Sequence, residues 1–262
     1  MGDRIKRFLH HVLAVGGFTI VRSPRAFRST PSSQLDVSFD MVLCEYLLRR
    51  KESPSFVQVG AFNGVDGDPL HEYVQRGLLK GCLIEPQADY FEQLRSNYAG
   101  IDGLVFKRAA VGKAPGEASL YRVRPGTPGP EWLFQIASFR REVLMRHAPC
   151  VPGLEAAIVT ETVPVITFGG LFAELNARPD IVVIDTEGYD YETVKNLLAA
   201  DCRPDIIMYE HKHLIEPDKN ACIRLLIGAG YKLAVGDIDT IAILPESQDS
   251  RAGAAELAHA AG

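Results

Sequence analysis

From residue 54 to residue 245, short apolar runs alternate with segments of helical spacing, and this rhythm limits the fold more than any other feature of the chain. SFVQVG (55–60) is an apolar run ending in glycine, and DPLHEYVQRGLL (68–79) follows with helical spacing. GCLIEP (81–86), LVFKRAAVG (104–112), DIVVIDTE (180–187) and PDIIMYEH (204–211) read as further strands. QADYFEQLRSNYA, YETVKNLLAA and DKNACIRLLIGAGY read as helices between them. Runs this apolar must be covered on both faces. The pattern therefore predicts an α/β fold of three layers: a doubly wound, mostly parallel seven-stranded sheet with helices on both sides. KLAVGD and TIAILP meet at Gly236-Asp237, a tight-turn signal, so the sheet should close in an antiparallel C-terminal edge hairpin.

Two stretches break the rhythm. ASLYRVR (118–124) reads as an added strand, and residues 122–165 read as an insertion between the third and fourth core strands, placed as a lid over the binding edge. Residues 1–53 form a leader: a helical start, the basic connector SPRAFRSTPSSQ, and a helix carrying Phe39, Val42, Leu43, Tyr46 and Leu47 at helical spacing. Residues 246–262 read as a frayed tail, which leaves 54–245 as the main domain.

Composition excludes several classes. With 47% hydrophobic and 23% charged residues in 262, the chain is neither disordered nor fibrous, and it can bury a full core. A net charge of −5 and the lack of a basic run argue against nucleic acid as a partner. The five cysteines, Cys44, Cys82, Cys150, Cys202 and Cys222, contain no CxxC pair and fit reduced thiols in a cytoplasm. Val12 to Val21 has about half the ~20 residues a bilayer span needs, so stable membrane insertion is not expected. Arg4, Lys6, Arg7 and Phe8 leave weak membrane-surface contact open.

The richest segment is VQVGAFNGVDGDPL (57–70), a strand running into a glycine-rich turn and then a helix, with Asp68 placed as N-cap and Pro69 as first helical residue. Such turns lie at the carboxyl end of a strand, where ligands bind. Glu85, at the end of the second strand, stands where a carboxylate accepts both hydroxyls of a ribose. Turn and acid together indicate an adenosine-containing cofactor. A pyrophosphate prefers G-x-G-x-x-G, whereas the glycines here read G-x-x-x-G-x-x-G. Asp66 and Asp68 would also repel phosphates by about 4 kcal/mol per charge pair at ~4 Å and an effective dielectric of ~20. The cationic sulfonium of S-adenosylmethionine suits an acidic turn; NAD(P) chemistry on the same sheet is the alternative, and a non-catalytic binding protein a third reading.

These residues resemble the FkbM family of methyltransferases, a Rossmann-like, class I branch of S-adenosylmethionine enzymes. The similarity runs in order through VQVGAFNGVDGDPL, KGCLIEPQADYFEQLRSNYA, AAVG (109–112), VPVITFGGLF, VVIDTEGYDYETVKNLL, RPDIIMYEHKHL and GYKLAVGDIDTIAIL, roughly residues 54–244. The resemblance implies methyl transfer to a hydroxyl on a sugar, polyketide or other secondary metabolite, a small-molecule or glycan acceptor. It implies cofactor contacts at Gln58, Gly60, Ala61, Asn63, Gly64, Asp66, Asp68, Glu85, Pro86, Ala109, Ala110 and Asp185. One departure is Gln58, where many methyltransferases carry an acid for the ammonium of the methionine part; an amide oxygen can still accept from it.

Asp185, Glu187, Glu210, His211 and His213 close two strands that should be neighbours. Asp185, Glu210, His211 and His213 are the catalytic candidates, with His211 slightly preferred over His213 as the base that takes the hydroxyl proton. Asp190 reads as a helix cap, and Glu187 as a partner for Lys212 or a backbone amide. Asp185, Glu210 and one histidine would also suit magnesium or manganese, but no close-spaced pair assigns metal ligands. A homo-oligomer is compatible with all of this.

Overall fold

The computed structural model describes residues 37–50 and 52–245. The expectations for the start of the leader and for the tail from 246 lie outside these residues. In chain order the elements are α1 (Phe39–Leu48), β1 (Ser55–Val59), α2 (His71–Gln75), β2 (Lys80–Ile84), α3 (Ala88–Asn97), β3 (Leu104–Lys107), β4 (Ala110–Val111) and β5 (Gly116–Val123). A 3₁₀ turn (Glu131–Phe134), β6 (Ala137–Ser138), α4 (Arg141–Met145), α5 (Leu154–Ala157) and β7 (Ile158–Ile166) follow. The chain closes with α6 (Phe168–Leu175), β8 (Ile181–Ile184), α7 (Asp190–Ala199), β9 (Ile206–Glu210), α8 (Glu216–Gly228), β10 (Lys232–Val235) and β11 (Asp239–Ile243).

Seven strands form one sheet in the order β10-β11-β9-β8-β1-β2-β3. β1 pairs in parallel with β2 (Val57 opposite Cys82) and with β8 (Val57 opposite Val182). β11 runs antiparallel to β9, and β10 antiparallel to β11, which is the expected hairpin. All four residues of β8 are buried, and each such side chain contributes roughly 1.5–3 kcal/mol relative to exposure. Val57, Val59, Ile84, Val182, Ile184 and Ile207 share a core with Phe168 and Leu171 of α6, Val194 and Leu197 of α7, and Leu226 of α8. The alternate residues Phe56, Leu83 and Val183 are buried too, so both faces of the sheet are covered. After β3 the chain crosses back to β8 on the other side of β1. The carboxyl ends of β1 and β8 therefore flank the crevice where strand order reverses, the usual ligand position in such sheets.

Residues 110–166 build a second sheet, β4-β7-β5-β6. The added strand ASLYRVR belongs to it, as β5, and pairs along its whole length with β7. β7 is a strand that the sequence pattern does not announce. Its residues alternate between covered and open faces and include Pro164, so no apolar run marks it. Val123, Leu133, Ile136, Val143, Leu144 and Leu154 form a small core of its own under this segment.

α2 starts at His71, later than Asp68 and Pro69 suggest, and its N-cap residue Leu70 makes no side-chain capping bond. Asp68 Oδ1 instead accepts from Leu70 N at 2.7 Å, before the helix begins. All five cysteines are free, and burial pushes the thiols of Cys82 and Cys222 up to about 12. No helix among the described residues is long and apolar enough to cross a membrane.

Candidate active site

β1 delivers the glycine turn to the crevice. Gly60 has φ +82°, and a Cβ there would lie 1.7 Å from the Asp185 carbonyl oxygen. Only glycine lets the first turn touch the loop after β8. The N–H groups of Gly60 and Ala61 both donate to Ile84 O, at 2.9 and 3.0 Å, tying the turn to the end of β2. Glu85 follows, 3% exposed. Its Oε2 accepts from Phe62 N at 2.9 Å and its Oε1 from Gln87 N at 2.8 Å. Burial raises this carboxyl to about 7, against the lowering effect of the two backbone donors and Arg122.

The rest of the turn satisfies itself. Asn63 Oδ1 accepts from the N–H groups of Val65 and Asp66, and its Nδ2 donates to Asp66 Oδ2 at 2.7 Å. Gly64 O accepts from Tyr98 Oη at 2.8 Å and lies 2.7 Å from His71 Nδ1. Gln58 donates its Nε2 to Asp68 Oδ1 at 3.1 Å, and Tyr98 Oη donates to Asp68 Oδ2 at 3.2 Å. Burial raises the Asp68 carboxyl, opposed by its donors Leu70 N, Gln58 and Tyr98. Gln58 Oε1 is buried without a hydrogen-bond partner. An acceptor left open at the point where a methionine ammonium is expected fits S-adenosylmethionine. Pro86 is half-buried beside Glu85. Ala109 and Ala110 are buried apolar residues; Ala109 packs in the main core, and Ala110 pairs with Val165 in the second sheet.

The second half of the site is the loop after β8. Asp185 N donates to Val59 O at 2.9 Å, while its side chain is open to solvent. Asp190, expected as a helix cap, is fully buried and works backwards: Oδ1 accepts from Thr186 N and Oδ2 from Gly188 N, each at 2.9 Å. It braces a tight loop in which Glu187 has φ +49°, a left-handed conformation costing of order 1–3 kcal/mol for a non-glycine residue. Ser138 Oγ of β6 donates to Glu187 O at 2.6 Å, and Arg146 donates to His213 O at 2.9 Å. The insertion thus clamps both loops.

The clamped loops bring Glu187, Glu210 and His213 together. Glu187 Oε2 lies 3.2 Å and Glu210 Oε2 4.0 Å from His213 Nε2. Glu187 therefore faces His213 rather than Lys212. His211, preferred above as the base, turns the other way: its Nδ1 sits 2.9 Å from Thr240 Oγ1 of β11. β9 ends at Glu210, so both histidines lie in the loop beyond it, and His213 is the one in the cluster. Burial, then Asp185, raises the Glu210 carboxyl to about 9, and the same causes raise Glu187 well above the ordinary range. Burial, then Lys212 and His147, lowers His213 to about 4, so its imidazole is neutral at pH 7. His147 of the insertion, its ring 5.7 Å from that of His213 and 5.0 Å from that of the exposed Trp132, has its Nε2 buried without a partner. A lone histidine in an irregular segment carries no signal that could have placed it here. Phe62, in contact with the Tyr90 ring at 4.0 Å, is equally unannounced.

The seven-stranded sheet, mostly parallel and closed by an antiparallel hairpin, carries the glycine turn and Glu85 at the carboxyl ends of two adjacent strands, where such sheets bind ligands. Residues 58–233 match the methyltransferase FkbM domain family, and the chain belongs to it. Among solved structures, the methyltransferase FkbM of Methylobacillus flagellatus KT is 14% identical, with a TM-score of 0.46 over 74% of this chain and 45% of that one. This chain thus spans less than half the length of that protein. The precorrin-6y C5,15-methyltransferase of Geobacter metallireducens GS-15 is 10% identical, with a TM-score of 0.40 over 82% and 92% of the two chains. The fibrillarin of Aeropyrum pernix, solved with natively bound S-adenosyl-L-methionine, is 9% identical, with a TM-score of 0.40 over 74% and 67%. No curated protein matches the chain.

Proposed function

We propose that the chain is an S-adenosylmethionine-dependent methyltransferase that methylates a hydroxyl oxygen on a small-molecule or glycan acceptor, such as a sugar, a polyketide or another secondary metabolite. The observation that carries the reading is the Glu187–His213–Glu210 cluster beside the loop that touches the glycine turn. An alcohol is a poor nucleophile until its proton is taken up, and a buried neutral imidazole flanked by carboxyl groups is chemistry for that. When bound, S-adenosylmethionine supplies a methyl group on a cationic sulfur. Glu85 offers its carboxylate to the ribose hydroxyls, and Gln58 Oε1 offers its free acceptor to the ammonium. Asp66 and Asp68 keep the turn acidic, which favours a cation over a phosphate. The insertion holds in place the loops on which Glu187 and His213 sit.

The test has two parts. Calorimetry should show binding of S-adenosylmethionine and of its demethylated product; no binding of either at millimolar concentration would remove the cofactor assignment. Incubation with hydroxylated acceptors should then give a product heavier by about 14 Da, the mass of one methylene unit, with the new methyl on oxygen. A methyl found on nitrogen or carbon would overturn the hydroxyl assignment.

A further inference from the structure

We infer that Glu187, Glu210 and His213 form a binding site for one divalent cation of the manganese class, and that the acceptor oxygen occupies one of its open positions. The ligand set differs from the one the sequence suggested, since Glu187 takes the place of Asp185. One donor atom from each residue lies within 4.8 Å of the other two. Ligands about 2.1 Å from a common ion stand roughly 3.0–3.4 Å apart, so the 3.2 Å contact is already at coordination spacing and the 4.0 Å contact must close by less than about 1 Å.

A group of acids alone would not make a site. The independent observation is an unmet need for a positive partner. Glu210 is 8% exposed, and its Oε2, which points at His213, is buried with no hydrogen bond; Glu187 Oε2 is buried and unbonded as well. A buried acceptor left without a partner is destabilising, and more so when it is charged. Lys212, the base whose field reaches both carboxyls, is itself exposed and does not enter the cluster. The positions of the three side chains are also fixed from outside: Asp190 braces the Glu187 loop, Ser138 holds the Glu187 carbonyl, and Arg146 holds the His213 carbonyl. Two carboxylates and one imidazole suit a borderline ion such as manganese, and three protein ligands leave positions for water or substrate. An acceptor hydroxyl held on the ion would lose its proton more easily. A ligating His213 cannot also take a proton at Nε2, so the ion changes how the site activates oxygen. The use of the ion in catalysis rests on the proposed function; its binding does not.

Full-length protein stripped with a chelator is titrated with manganese chloride and followed by electron paramagnetic resonance. One bound ion per chain is expected, with affinity at least about tenfold weaker in Glu187→Gln, Glu210→Gln and His213→Ala. The exposed Glu92→Gln serves as a control that keeps wild-type affinity. Circular dichroism establishes that each variant is folded, and the wild-type titration decides the matter if one is not. No bound ion in the wild type, or equal binding in the three variants, overturns the site. Calorimetry with S-adenosylmethionine on the same stripped protein separates the two readings: lost cofactor binding with retained manganese sinks the methyl-transfer reading alone, and the reverse sinks the cation site alone.

Discussion

Glu85→Gln isolates the contribution of one buried charge at the centre of the cofactor turn. In the folded protein this carboxyl titrates near about 7, against 4.5 ordinarily, and burial is the main cause. A raised folded-state value means the native protein binds the proton more tightly than the unfolded chain does. The resulting stability is fully present below 4.5 and is lost as pH rises through about 7. At about 1.4 kcal/mol per pH unit, that interval amounts to about 3 kcal/mol. Glutamine cannot ionise, so the variant lacks this loss. It carries a separate, pH-independent penalty of about 1–2 kcal/mol, because one amide oxygen cannot replace two carboxylate oxygens facing Phe62 N and Gln87 N. Urea unfolding of both proteins from about pH 5 to pH 8 should show the free-energy difference moving toward the variant by about 2–3 kcal/mol as pH rises. A difference constant across that range would refute the claim that Glu85 is buried at a cost in its charged form.

Three further outcomes are expected. Gly60→Ala forces a Cβ onto the Asp185 carbonyl at positive φ, so a thermal melt should show a loss of at least about 2 kcal/mol, or no folded protein; a melt like the wild type would place the turn elsewhere. His213→Ala should lower kcat by about 10²–10⁴-fold with cofactor affinity unchanged, whereas His211→Ala, which loses the Thr240 contact, should cost about 1 kcal/mol of stability and little rate; the opposite pattern would restore His211 as the catalytic base. Arg122→Met removes a buried guanidinium bonded twice to Asp89 at 2.7 Å and once to Glu161 at 3.0 Å; because Asp89 is partly solvated, the loss should be about 2–3 kcal/mol by denaturant titration, and a neutral effect would mean the pair contributes nothing net.

The parts of the fold that were legible are those where a local pattern has one physical outcome. IVVI of β8 is apolar on both faces because both faces are covered, and Gly236-Asp237 announces the hairpin that the sheet contains. β7 was hidden because its partner β5 lies about 40 residues earlier and its open face mixes threonine, glutamate and proline. The cofactor turn was legible for the same local reason: its glycines, its acids and the spacing to Glu85 stand in one strand–turn–helix–strand unit. The role of Asp190 was not. Whether an acid at a helix start bonds forward into the helix or backward into the loop depends on the path of the loop, and here the loop doubles back.

The order of apolar and polar residues alone determined a three-layer sheet, a glycine turn at its carboxyl edge, and an acid on the next strand. Those are short-range matters of period and backbone freedom. Tertiary structure alone decided which side chains meet. The left-handed Glu187 and the insertion's bonds to the carbonyls of Glu187 and His213 turn two carboxyls and one imidazole toward a common point, while His211, two residues away, is turned to β11. Side-chain direction after a strand ends is set by long-range packing, and no period in the sequence records it.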